Sequence, residues 1–246
     1  MLFEDEHLEP LSKSCSVIVS PQHTFNTDTI LLAAFSMPHS GDICADFGTG
    51  CGTIPLIWST RSKPKHIYAI ELQPAACKLA MRSVEYNHLE PVIEVLPADI
   101  RDLKKDKRLR NLDLIACNPP YKALGTGIVN KEASLRIARH EEQCSLADIA
   151  NAASPALRFG GRFCLCQRPE RLCDTVTELR KAGMEPKRLR FVQQRAVKAP
   201  SLFLLEAKRG GKPGLQVSTP LLIEDEFGNI SEEMKQIYGD YKEGHR

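Results

Sequence analysis

The sequence has no long hydrophobic run, no paired cysteines and almost no net charge, and each absence removes a class of protein. Its longest purely apolar stretch, Ile30 to Phe35, falls far short of the roughly 20 residues that span a bilayer. Its opening, "MLFEDEHLEP", is acidic and lacks the basic-then-apolar layout of a secretory signal. The expectation is a cytoplasmic protein with no membrane partner. The nine cysteines include no C-x-x-C pair; the closest spacing, Cys164-Leu-Cys166, puts both side chains on one face of a strand. Structural zinc sites want two such pairs or added histidines, so neither a metal nor a disulfide is expected. A net charge of +2 names no partner by itself.

What is present is more informative. Apolar residues make up 42% and charged residues 26% of 246 positions, which suits one soluble α/β domain with small extensions. Charge is unevenly distributed. "KKDKRLR" (104–110) and "RKAGMEPKRLRFVQQRAVK" (180–198) are basic, whereas "FEDEHLE" and "IEDEFGNISEE" near the two ends are acidic. Basic runs can meet phosphates even on a nearly neutral chain.

Along the chain, "SCSVIVS" suggests a short strand and "FNTDTILLAAF" a helix starting near Asn26 or Thr27. Strand-like runs "DICADF", "HIYAIE", "VIEVLP" and "LDLIAC" then alternate with helical patterns. "SLADIANAASPALRFGG" reads as a helix with a Gly-Gly end, followed by strand "RFCLCQ", helix "RLCDTVTELRKAG" and strands "PKRLRFVQQ" and "SLFLLEAKR". Such alternation predicts stacked βαβ units. Seven core strands are expected, mostly parallel. The last two are joined without a helix, so one should run antiparallel. The expected organisation is a lead-in over 1–40, a core over 41–210 and a tail over 211–246, with a short strand and a short helix capped by Ser231 in "SEEMKQIYG".

Polar groups recur where these strands end. "ADFGTGCGTIP" is Asp-x-Gly-x-Gly-x-Gly after the first core strand; its glycines permit a tight turn and bare backbone beneath a ligand. Nucleotide, flavin and S-adenosylmethionine sites all use such a turn. A dinucleotide fingerprint from Gly48 would need glycine where Thr53 stands. The second strand ends in Glu71, able to accept from both hydroxyls of a ribose, and the third ends in "PADI", with Asp99. After the fourth comes "ACNPPYKALG", where two prolines stiffen the chain between Asn118 and Tyr121.

The order Asp-Phe-Gly-Thr-Gly-Cys-Gly, Ile-Glu, Ala-Asp, Asn-Pro-Pro-Tyr resembles the class I S-adenosylmethionine-dependent methyltransferases, and within them the small-domain group carrying NPPY. The resemblance covers roughly residues 17 to 210 and implies a Rossmann-like fold. It implies S-adenosylmethionine contacts at Asp46, Gly48, Thr49, Gly50, Glu71, Leu72, Asp99, Ile100 and Asn118. It also implies a catalytic segment Asn118, Pro119, Pro120 and Tyr121. There, the Asn118 oxygen and the Pro119 carbonyl would accept the two hydrogens of an exocyclic amine and release its lone pair. Pro120 restricts Pro119 to extended backbone, and Tyr121 offers a face for stacking.

NPPY serves adenine N6, guanine N2, cytosine N4 and the glutamine of translation release factors. The core here begins within about 40 residues, leaving no room ahead of it for the helical domain of the glutamine enzymes. "SPQHTFNTDTILLAAF" and the tail "TPLLIEDEFGNISEEMKQIYG" resemble bacterial enzymes that methylate adenine N6 beside the anticodon of a valine tRNA. In that family a Thr-Asp pair like Thr27-Asp28 packs beside the cofactor. The expectation is an RNA adenine-N6 methyltransferase, monomeric or weakly dimeric, acting on the anticodon-loop adenine of a tRNA. The alternative is release-factor glutamine or rRNA guanine N2. Lys122, Arg136, Arg139 and Arg195 are the expected RNA contacts. His140 needs no catalytic role, because a methylated amine loses its proton easily.

Overall fold

The computed structural model describes residues 2–119 and 144–239. The core strands read as apolar runs because both faces of their sheet are covered. Strands β3 (Ile43–Phe47), β4 (His66–Glu71), β5 (Ile93–Pro97) and β6 (Leu112–Cys117) run parallel in the order β6-β3-β4-β5. β7 (Leu157–Gln167) adds parallel to β6. β9 (Leu202–Arg209) lies between β7 and β8 (Met184–Gln193), antiparallel to both. This reversal is the expected one: a short β8–β9 link allows only a hairpin. All seven expected strands are present. Two short ones from the tail, β10 (Gln216–Val217) and β11 (Leu221–Leu222), extend the edge beside β8 to make nine. The sequence predicts one short strand in the tail, and the structure has two.

Alternate strand residues part to opposite faces. Ala45, Phe47, Ile115, Cys117, Phe163 and Leu165 pack with helices α4 (Leu146–Ala156) and α5 (Leu172–Lys181). Cys44, Leu114, Ala116, Cys164 and Cys166 pack with α1 (Thr27–Phe35), α2 (Thr53–Ser62), α3 (Pro74–Tyr86) and α6 (Glu232–Tyr238). The nine cysteines are free thiols, seven of them buried. No helix among the described residues is long and apolar enough to cross a membrane.

Helix ends follow their capping residues. Asn26 caps α1, Ser145 and Asp148 form a capping box on α4, and the Ser231 hydroxyl accepts from the Met234 amide at 3.2 Å to cap α6. Two expectations need correction. The glycines at 160 and 161 do not end α4, which stops at Ala156 beside Pro155; they lie inside β7. A Cβ on Gly161 would meet the Arg158 and Leu112 carbonyl oxygens, each at 2.9 Å. Gly161 therefore serves a close strand approach where the β6–β7 register shifts, while Gly160 supplies a positive φ of 76°. The lead-in also holds an unexpected strand, β1 (His7–Ser12), antiparallel to β2 (Cys15–Val19). The hairpin is fastened to α3: the Ser83 hydroxyl accepts from the Ile18 amide at 2.9 Å.

Candidate active site

The chain winds outward in opposite directions from the neighbouring parallel strands β3 and β6, and ligands of open α/β sheets bind in the crevice at such a switch in strand order. The turn leaving β3 has three left-handed glycines, Gly48, Gly50 and Gly52, with φ of 74°, 59° and 90°. A Cβ on Gly48 or Gly50 would meet nothing within 4 Å, so the turn lies under open space. Glu71, at the end of β4, ties this turn to α3. One carboxylate oxygen accepts from the Gly50 amide and the other from the Gln73 amide, both at 2.9 Å. Beneath lies Asp46, 1% exposed. Burial pushes its carboxyl up to about 7; the Thr49 hydroxyl draws it down a little and the Glu71 charge raises it. Thr49 Oγ1 is near but not in hydrogen-bonding geometry, so it and Asp46 Oδ2 are buried atoms without a partner among the described residues.

Asp99 follows β5 and is gripped by Arg101, whose Nη2 lies 2.5 Å from Oδ2 and whose backbone amide lies 2.9 Å from Oδ1. The guanidinium bonds hold the Asp99 carboxyl below the usual carboxylate range. A cavity of about 320 Å³ joins these strand ends. It brings together Gly48, Glu71, Leu72, Asp99, Ile100, Asn118 and Pro119 from the sequence reading. Asp46, Thr49 and Gly50 are not on its wall. Phe47, Ile70, Gln73, Cys117, Cys144 and Ile149 are additional lining residues. Phe47, Ile70 and Cys117 are the final or penultimate apolar residues of their strands, a position the sequence does show; Cys144 and Ile149 reach the cavity from the start of α4 through tertiary folding alone.

Asn118 leaves β6 with its carboxamide held on both sides. Its Nδ2 donates to Thr29 Oγ1 at 3.0 Å, and its Oδ1 accepts from the Cys166 thiol at 3.1 Å. Thr29 of α1 thus meets the site through Asn118. Thr27 instead meets the Tyr238 hydroxyl at 3.3 Å, on the side of α6. Pro120, Tyr121, Lys122, Arg136, Arg139 and His140 lie outside the described residues.

Much of the basic stretch 180–198 is matched by acids of the same molecule. Arg180 meets Glu185, Lys181 meets Glu178, Arg188 meets Glu206 and Arg190 meets Glu233. Arg195, the expected RNA contact in this stretch, pairs with Glu224 at 2.6 Å. The acidic tail noted in the sequence supplies two of these partners, Glu224 and Glu233. Arg108, in the other basic run, pairs with Asp106 and Glu94.

The residues present fit S-adenosylmethionine. An ammonium group suits the unpartnered Asp46 oxygen and a carboxylate suits the turn amides, for which the missing Cβ atoms leave room. Glu71 suits ribose hydroxyls, and Asp99 with Ile100 suits adenine.

Comparison with known proteins agrees with this geometry. A family model described as "Methyltransferase small domain" matches residues 18–169. The tRNA1(Val) (adenine(37)-N6)-methyltransferase of Histophilus somni (strain 129Pt) is 29% identical over 216 residues, covering 87% of this chain and 88% of that protein. The crystal structure of a predicted O-methyltransferase from Agrobacterium tumefaciens superposes with a TM-score of 0.71 at 19% identity, covering 87% of this chain and 97% of that one. A T. thermophilus 16S rRNA N2 G1207 methyltransferase, solved with AdoMet and guanosine, has a TM-score of 0.59 at 18% identity and covers 85% of this chain and 52% of that one. Both structures share the class I fold.

Proposed function

The chain belongs to the methyltransferase small domain family, and from that premise we propose that it methylates N6 of an adenine in RNA, in the anticodon loop of a tRNA. The observation carrying this reading is the carboxamide of Asn118, held at the end of β6 on the wall of the cavity that Glu71 and Asp99 share. The tRNA substrate follows the names of relatives such as the Histophilus protein. On this reading the enzyme works in the cytoplasm, as a monomer or weak homodimer.

Bound S-adenosylmethionine supplies a methyl group on a positively charged sulfur. The chain must place an amine lone pair in line with it, and such positioning contributes several kcal/mol. Asn118 Oδ1 and the Pro119 carbonyl each accept one amine hydrogen. Together they favour a tetrahedral nitrogen, whose lone pair is no longer spread into the ring. These acceptors act most strongly as charge develops on the nitrogen, so they stabilise the transition state more than the bound base. The methylated nitrogen then loses a proton to water. Tyr121 stacks on the extruded base.

Lys122, Arg136 and Arg139 follow the catalytic segment in sequence and are proposed to meet phosphates. Arg195 lies beyond β8, which runs in the same direction as β6, so it is on the same rim as Asn118. To reach a phosphate it must exchange Glu224 for it. The test is transfer of labelled methyl to bulk tRNA, rRNA and a release factor in parallel, followed by nucleoside and peptide analysis. Label in N6-methyladenosine from tRNA is expected. Label only in guanosine or only in glutamine overturns the substrate.

A further inference from the structure

A carboxamide can catalyse in one orientation only. If Asn118 were flipped, its NH2 group would face the amine and repel the hydrogens it should accept. Something must fix the flip, and the start of α1 contains a chain of bonds that does so. The first link is backbone. The Thr29 amide donates to the Asn26 side chain at 3.2 Å, and only the oxygen of that carboxamide can accept. Asn26 Oδ1 is thereby placed. It also lies 3.2 Å from Thr29 Oγ1, which must donate to it. The single hydroxyl proton of Thr29 is then committed, and Oγ1 can offer Asn118 only a lone pair. Asn118 must answer with Nδ2, which stands 3.0 Å away. Its Oδ1 is turned to the opposite side.

The other end of the carboxamide agrees independently. The Cys166 thiol, from the strand neighbouring β6, is 3.1 Å from Oδ1. A thiol donates to a carboxamide oxygen more readily than its sulfur accepts from an NH2 group, so it too favours oxygen there.

We propose that Thr29, oriented by Asn26, is a positioning residue that locks the catalytic carboxamide with Oδ1 toward the substrate amine. The catalytic meaning rests on the methyl-transfer reading; the lock itself does not. Asn26 therefore has two tasks. It caps α1, and through Thr29 it passes the direction of a backbone N–H to the reacting centre. Because Thr29 is not on the cavity wall and meets the site through Asn118, losing it should slow turnover and leave the affinities for cofactor and RNA in place.

Two readouts test this. In the first, hydrogen exchange of the Asn118 side-chain NH2 is followed by NMR in the full chain, with the signal assigned by its loss in Asn118→Asp. The wild type should exchange at least about tenfold more slowly than exposed carboxamides, as a bonded amide does. Thr29→Val, which keeps the shape and removes the acceptor, should bring exchange close to theirs, and Thr29→Ser should restore protection. Wild-type exchange as fast as that of exposed Asn side chains overturns the lock, whether or not any variant folds. In the second, single-turnover transfer to tRNA should fall about tenfold in Thr29→Val, with S-adenosylmethionine and tRNA affinities unchanged, and recover in Thr29→Ser. An undiminished rate in Thr29→Val, or a Ser variant as slow as the Val variant, overturns the positioning role. Wild-type protein inactive on every RNA would instead overturn the substrate reading, and the exchange measurement would still decide the lock.

Discussion

Replacing Asp46 with Asn should stabilise the empty protein at alkaline pH while weakening its hold on the cofactor. Asp46 is 1% exposed and its Oδ2 has no partner among the described residues. Burial raises its carboxyl from 3.8 to about 7. At about 1.4 kcal/mol per unit, holding it ionised costs at most about 4 kcal/mol. The sign follows from proton counting. Between 3.8 and about 7 the folded protein binds the proton and the unfolded chain does not. Stability is therefore highest at the acid end of this window and is lost as pH rises through it. Lowering the pH from 7.5 to 5.5 should add about 2 kcal/mol, or about 1 M in the urea midpoint. Carboxyls held low by partners, such as Asp99, Asp113 and Asp148, act in the opposite sense. They lose their contribution only as pH falls through their lowered values, outside this window. Urea titrations of both proteins from pH 5.5 to 7.5, below the range where the thiols that burial holds up begin to contribute, make the test: a sloping midpoint in the wild type and a much flatter one in Asp46→Asn. An ammonium group beside Asp46 favours the carboxylate, so binding S-adenosylmethionine near pH 6.5 should release a proton. Calorimetry in buffers of different ionisation enthalpy reads this directly. A wild-type midpoint as flat as that of the Asn variant would refute the reasoning.

Three other outcomes are expected. Glu71→Ala removes the acceptor of the Gly50 and Gln73 amides and the one offered to the ribose, so calorimetry should show cofactor affinity weaker by about 1–3 kcal/mol. Normal affinity would remove Glu71 from the site. Asn118→Ala should keep cofactor affinity and lose roughly 100-fold or more in single-turnover rate; surviving rates would exclude the double-acceptor mechanism. Gly161→Ala drives a methyl group against two carbonyl oxygens at 2.9 Å, neither on a flexible side chain, and should lower stability in urea by about 1–3 kcal/mol.

The parts of this molecule legible in the sequence are those governed by local chemistry. β4 and β6 occupy "HIYAIE" and "LDLIAC" to the residue, because a doubly covered strand is apolar along most of its length. The helix after Ser231 was legible for a similar reason, since a cap and its acids sit within one turn. The glycines at 160 and 161 misled because a Gly-Gly pair after a helical pattern is a stop signal locally, while its use here is set by a neighbouring strand. The intramolecular pairing of the basic stretch 180–198 was hidden for the same reason. Its partners, Glu206, Glu224 and Glu233, are brought to it only by the sheet and the tail. At the site, the strand-end acids and glycines were visible because each follows its own strand. Thr29 and Cys166 were not: one is on α1 and the other on β7, and the β6–β7 register with the packing of α1 on that face carries them to Asn118.

The most direct test of the function is mass spectrometry of tRNA nucleosides from cells in which this gene has been deleted, beside the parent and a strain re-expressing the wild-type protein or Asn118→Ala. The account predicts that N6-methyladenosine next to the anticodon of a valine tRNA disappears, returns with the wild-type protein and stays absent with Asn118→Ala. Unchanged N6-methyladenosine in tRNA, with loss instead of a methylated guanosine in rRNA or of methylated glutamine in a release factor, would contradict it.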